Sequence, residues 1–185
     1  EASAPFAVVL AAGAASRMGR SKAALQWEGN SFLGHCTGLA RAAIGASAPL
    51  FVVQGAHPLA ELLDAAHAPR LVSNADWRHG PLSSLQAALR EPEAENRPCL
   101  VLSVDRPHLE ADTVIGLVEA HRDEPNRVWQ PAAGDRRGHP IIWPADLCRE
   151  LLALDPQSSP RELLARPEVK ARRAGWPTKD PAIFD

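Results

Sequence analysis

The chain has 185 residues, 45% hydrophobic and 23% charged, with Lys+Arg 20 against Asp+Glu 22 and a formal net charge of −2. This is ordinary globular usage for one compact domain, here residues 1–185, and it excludes global disorder. A pI near 6.4 provides no basic field for nucleic acid or a membrane surface, so any anion must be held locally.

The first strand is predicted at Phe6–Ala11, breaking into a Gly- and Ala-rich stretch, with a helix from Ser31 through Ile44. Leu50–Gln54 reads as a second buried strand, Leu59–Ala66 as a short helix, Arg70–Ser73 as a third strand and Gly80–Arg90 as a helix. Cys99–Val104 is a continuous apolar run ending at Asp105, and beyond it Val114, Leu117, Val118 and His121 share one helical face. Val128–Gln130 and Ile141–Trp143 are later strands. A helical pattern from Pro144 to Arg166 is interrupted by Pro156 and Pro160, and the tail is rich in Pro, charge and small residues. Strands alternating with helices give an α/β class: a Rossmann-like, doubly wound, mostly parallel sheet with helices on both faces.

The longest near-apolar stretch, Phe6 to Ala15, contains Gly13 and falls well short of the roughly 18 residues that cross a bilayer. No signal pattern is visible. Cys36, Cys99 and Cys148 lack close spacing and are odd in number, so a zinc site is not expected and a reducing cytoplasm is.

The first chemical candidate is LAAGAASRMGRSKAAL, Leu10 to Leu25, directly after the first strand. Small residues let backbone N–H groups approach a phosphate, and Arg17 and Lys22 neutralise it. It is no Walker loop, because Arg20 rather than Lys follows Gly19, and no GxGxxG, because Ala15 holds the middle position. The plain alternative is a strand-to-helix turn with solvated cations.

The order LAAG-x3-RMG-x2-K resembles the signature of the MobA-like nucleotidyltransferase family, which includes molybdenum-cofactor cytidylyl- and guanylyltransferases and sugar-phosphate relatives. Three later segments fall in the family's order: NADWRHGPLSSLQAAL (Asn74–Leu89), LSVDRP (Leu102–Pro107) and GHP (Gly138–Pro140). The resemblance implies a fold of the nucleotide-diphospho-sugar transferase type. It assigns triphosphate contacts to Leu10, Ala11, Ala12, Gly13, Arg17 and Lys22, with Asn74, Gly80, Ser83 and Ser84 also on the nucleotide. Asp105 becomes a Mg²⁺ ligand, catalysis falls to Arg17, Lys22 and Asp105, and Gly138, His139 and Pro140 stand on the acceptor side.

Read for themselves, Gly80 is a helix cap and Pro81 a first helical residue, while Leu82, Leu85 and Leu89 face the core. Ser83 and Ser84 then sit where polar or anionic ligand groups bind, or simply satisfy helix-end amides. Asp105 ends a central strand, where α/β folds bind ligands, although a turn or cap Asp looks the same. His139, alone in a loop, is equally read as solvated.

The implied reaction is attack by a phosphate-bearing acceptor such as molybdopterin on the α-phosphorus of a nucleoside triphosphate, expelling pyrophosphate. A phosphate monoester has its second pKa near 6 and requires no general base. LAAG and the paired serines favour CTP, while Gly80–Leu82 leans towards GTP. A molybdoenzyme or its chaperone is the implied protein partner; nucleic acid and membrane are not.

The sequence also departs from the pattern. The family's D-[IV]-D-T-P-x-D tail is replaced by GWPTKDPAIFD; aligned on Thr178, Gly175 and Pro177 stand where carboxylates are expected. Arg106 replaces the usual Met of the DMP-type motif, and Asp135, Asp180 or Asp185 are candidate substitutes for the lost carboxylates. A second class of function therefore stays open, a catalytically weak nucleotide-binding relative that acts as a sensor or cofactor chaperone, beside a transferase using GTP or a sugar phosphate.

Overall fold

The computed structural model describes residues 4–14 and 21–184. The chain opens with β1 (Phe6–Leu10), followed by a small hairpin of β2 (Gln26–Trp27) and β3 (Asn30–Ser31). Ser31 then starts α1 (Phe32–Ile44), its Oγ accepting the Gly34 amide at 2.9 Å, an N-cap that satisfies one helix-end donor. The next units are β4 (Leu50–Gln54), β5 (Arg70–Ser73), α2 (Pro81–Leu89), β6 (Cys99–Ser103) and α3 (Ala111–Asp123). Beyond them lie β7 (Val128–Ala133), β8 (Arg136–Arg137), β9 (Ile141–Trp143), α4 (Ala145–Ala153), α5 (Pro160–Ala165), α6 (Pro167–Lys170) and β10 (Arg173–Pro177).

The main sheet runs β10-β7-β9-β6-β1-β4-β5, with β8 hooked onto the end of β7. β1 pairs in parallel with both β4 and β6, and its apolar run is covered on its two faces by α1 and α2, as buried parallel strands require. The strand β9 runs against both neighbours, β6 and β7, and joins the two parts of the sheet. Alternation along the central strands sorts the core into two layers. Ala7, Val9, Leu50, Val52, Leu100 and Leu102 face α1 and α3, while Phe6, Val8, Phe51, Val53, Cys99 and Val101 face α2 and α4.

The fold class is the expected one, with two local differences. The helix expected over 59–66 is two 3-10 turns, Ala60–Leu62 and Ala65–His67, because the Asp64 side chain accepts the Ala66 amide and starts a new turn. The Pro- and Gly-bearing tail forms β10, parallel to β7 at the sheet edge. The broken helical pattern resolves as α4, α5 and α6, with Pro160 and Pro167 each at a first helical position. Among the described residues no helix is long and apolar enough to cross a membrane.

Candidate functional site

The connection from β1 crosses through α1 to β4 on one side, and the chain returns through α2 to β6 on the other. The C-terminal ends of β1 and β6 thus flank the point where strand order reverses, the usual place for a ligand crevice. A cavity of about 1050 Å³ opens there, large enough for a nucleotide and a second small molecule.

One wall is the loop after β1. Leu10, Ala11, Ala12, Gly13 and Ala14 all line the cavity, Ala11 and Ala12 buried and Gly13 exposed. The buried part is fixed by the Ala11 amide on Val53 O and the Ala56 amide on Ala12 O, both 3.1 Å. Arg17, expected on the triphosphate, lies outside the described residues. Lys22 lines the same wall, with its Nζ 3.8 Å from Asp105 Oδ2, and both side chains are more than two-fifths exposed.

Asp105 follows β6, at the strand end where the sequence places it, and it is the single carboxylate on the cavity wall among the described residues. Behind it, the Cys36 thiol donates to Ser103 O and Val104 O. Burial first, and then the neighbouring Asp105 charge, push that thiol up to about 12, so it is inert packing. Arg106, in place of the usual Met, is buried and donates to Ala182 O at 2.9 Å and Phe184 O at 2.7 Å, tying the chain end to the site.

The α2 wall separates the expected residues. Gly80, Pro81 and Ser84 line the cavity; Asn74 and Ser83 do not. Asn74 Nδ2 donates to Ser83 Oγ and Ser84 Oγ at 3.0 and 2.9 Å, and Ser83 donates to Gly80 O at 2.8 Å. This buried network sets the entry to α2, for which Gly80 takes φ +112°, a value open to glycine. Asn74 and Ser83 therefore hold the wall that presents Ser84.

Of the GHP segment only His139 lines the cavity. Gly138 and Pro140 are buried beside the chain end: a Cβ on Gly138 would lie 2.2 Å from Ile183 O, and the His139 amide donates to that oxygen at 2.9 Å. The candidate substitute carboxylates stand elsewhere. Asp180 is buried, accepting from the Glu110 and Ala182 amides and Thr113 Oγ1 at 2.9 Å each; Asp135 does not line the cavity, and Asp185 lies outside the described residues.

Residue patterning missed the far wall, which is formed by Gln130 on β7, Arg137 on β8 and Arg173 on β10, with Arg161 and Lys170 from α5 and α6. With Lys22, Arg78 and Arg106 these place a strong excess of cations around Asp105, in a chain whose net charge is −2. Such a cavity selects polyanions. No local sequence signal marks these cations, because topology alone gathers them from four separate elements.

The model of the MobA-like NTP transferase domain matches residues 7–172. The nicotine blue oxidoreductase of Paenarthrobacter nicotinovorans is 34% identical over 149 residues, 76% of this chain and 71% of that protein. The molybdenum cofactor guanylyltransferase of Rhizobium johnstonii is 31% identical over 172 residues, 88% of this chain and 75% of that one. Among solved structures, Rv0371c of Mycobacterium tuberculosis H37Rv superposes with TM-score 0.74 at 21% identity, covering 98% of this chain and 92% of that one. Its complex with manganese superposes at 0.68 with 22% identity over 100% and 94% of the two chains.

Proposed function

The chain belongs to the MobA-like NTP transferase family, and from that premise we propose that, as one domain over residues 1–185, it transfers a nucleotidyl group from a nucleoside triphosphate to a phosphate-bearing acceptor. Pyrophosphate leaves, and molybdopterin or its metal-bearing form is the acceptor class proposed. One observation carries the reading: a cavity of about 1050 Å³ at the strand-order switch point, rimmed by cations with Asp105 as its carboxylate.

The donor enters against the loop backbone from Leu10 to Gly13, with Lys22 on its phosphates and Ser84 at the start of α2. Arg17 is proposed as the second loop cation. The acceptor phosphate is anionic near neutral pH, so the chain has only to hold the two reactants in line and absorb charge on the leaving pyrophosphate. Lys22, with its Nζ 3.8 Å from Asp105 Oδ2, is the cation proposed to take up that charge.

A divalent cation fits these residues in one way only. Asp105 supplies hard carboxylate oxygen on the cavity wall, and no three-residue His/Cys/Asp/Glu cluster exists among the described residues. Mg²⁺ is commonly held by one or two carboxylates plus substrate phosphates, so Asp105 would hold an ion that arrives with the nucleotide. Bound there, the ion would withdraw charge from the phosphates. The manganese complex of Rv0371c supports a divalent ion without choosing its identity.

CTP is the donor proposed, on the LAAG run and Ser84; GTP is its rival, on the guanylyltransferase relative. Titration with CTP, GTP, ATP and UTP, with and without Mg²⁺ and with Asp105→Asn as control, tests the proposal. Selective, metal-dependent binding that Asp105→Asn weakens supports transfer.

A second reading, a nucleotide-binding protein that does not transfer, is favoured by the tail: Gly175 and Pro177 carry no carboxylate, and Asp180 is consumed by structure. Metal-independent binding with no pyrophosphate release would select it.

A further inference from the structure

At the far wall of the cavity, two guanidinium groups share one face of the sheet. Arg173 lies two residues before Gly175 on β10, so both positions point the same way, and Gln130 pairs with Gly175 on β7. Arg137 sits opposite Ala132 on the other side of β7 and reaches across it. A Cβ built on Gly175 would meet Ala132 Cβ at 2.8 Å and lie 3.8 Å from Arg137 Nε. The missing side chain at Gly175 is thus the bed on which Arg137 lies.

Arg173 is held from behind. Gln130 Oε1 accepts from Arg173 Nη2 at 2.9 Å and from Nε at 3.3 Å, while Gln130 Nε2 donates to Gly138 O at 3.2 Å. Because the amide nitrogen is committed to a carbonyl, its oxygen must face Arg173. Gln130 is itself buried, and its uncharged amide orients Arg173 without neutralising it.

Neither arginine is within ion-pair distance of a carboxylate among the described residues. Partial burial, and then the adjacent Arg137 charge, lower the Arg173 guanidinium from its ordinary value. Arg136, next along β8, points away and stacks on the Phe184 ring at 4.1 Å. Two guanidinium groups on one cavity wall, with no carboxylate in ion-pair range among the described residues, offer the charge-assisted donors that a phosphate dianion takes.

We propose that Arg137 and Arg173, the latter oriented by Gln130, form a phosphomonoester site at the acceptor end of the cavity, bound directly by side chains where the family pattern would place carboxylates. The site takes the terminal phosphate of the acceptor and not the phosphates of the donor. It rests on the transferase reading, because only that reading makes a second phosphate necessary.

The probe is inorganic phosphate at pH 7.5, titrated into the full chain carrying Lys22→Ala, which removes the described donor-loop cation. Adding Arg137→Gln or Arg173→Gln should weaken phosphate binding by about tenfold each, as loss of a charge-assisted contact does. The same two substitutions in an otherwise wild-type chain should change CTP and GTP binding less than about twofold, with melting temperature showing each variant folded. Gln130→Leu should weaken phosphate binding while both charges remain. Sulfate, doubly charged at either pH, should bind equally at pH 5.5 and 7.5, whereas phosphate should bind more weakly at the lower pH as it loses a charge.

Unchanged phosphate affinity in both arginine variants overturns the site. A parallel fall in nucleotide affinity also overturns it, since the pair would then belong to the donor. If the wild-type chain binds no nucleotide while phosphate still depends on the arginine pair, the transferase reading falls and the anion site stands.

Discussion

The Lys22 ammonium stands 3.8 Å from Asp105 Oδ2, bridging the segment after β1 to the end of β6 across the mouth of the cavity. Both groups are substantially exposed, so the pair adds little to stability, while either member can turn to a ligand.

Lys22→Ala and Asp105→Asn should therefore each lower the transfer rate by about 10²–10³, the range for losing a charge-stabilising group, with melting temperature nearly unchanged. Pyrophosphate release measured beside thermal unfolding checks both parts. Near wild-type turnover in either variant removes that residue from the mechanism.

Gln86 is buried in α2, and its Nε2 donates to Leu151 O and Leu154 O at 2.9 Å each, closing the C-terminal end of α4. Gln86→Leu keeps the volume and strips two buried carbonyls of their donor. It should cost about 1–3 kcal/mol in denaturant unfolding, with nucleotide affinity unchanged.

His121 is buried on α3, with no hydrogen-bond partner at Nδ1 among the described residues, and burial lowers its pKa from 6.5 to about 4. Below pH 6.5 the unfolded chain takes up a proton that the folded chain refuses until about pH 4. Stability should therefore fall as pH drops through that window, by about 3 kcal/mol in all. Melting between pH 7.5 and pH 4.5 reads the slope, and His121→Leu should flatten it; an equal slope in both proteins would assign it to other groups.

Gly138→Ala should be poorly tolerated, because its Cβ would meet Ile183 O at 2.2 Å, and backbone on backbone cannot swing aside. An overpacking loss of about 1–3 kcal/mol is expected. The same change should expose the chain-end segment to protease, since the His139 amide bond to Ile183 O would be displaced with it.

The fold was legible wherever one physical constraint dominated. Cys99–Leu102 and Leu50–Val53 are continuous apolar runs because both faces are covered, and those runs alone mark β6 and β4 as central strands. Arg173–Pro177 has no such run: every residue is half-buried or exposed at a sheet edge, so β10 depends on β7 for its existence. The cavity wall after β1 was readable because its residues are consecutive. The far wall was not, since Gln130, Arg137 and Arg173 are brought together by strand pairing and only then mean anything as a group. Asn74 and Ser83 show the converse, polar residues in a recognisable segment whose hydrogen bonds are spent on one another.

The central reversed strand has a consequence for how such a protein could be rebuilt. β9 contributes only Ile141, Ile142 and Trp143 to the ladder joining β6 to β7, so the sheet carries a narrow seam between the half built on β1 and the half that carries Arg137 and Arg173. Both sides of that seam present their loops to the same cavity. A graft exchanging β7, β8 and β10 while leaving β1, β4, β5 and β6 intact would cross few backbone hydrogen bonds, and it is there that a new acceptor specificity could be installed on an unchanged donor site.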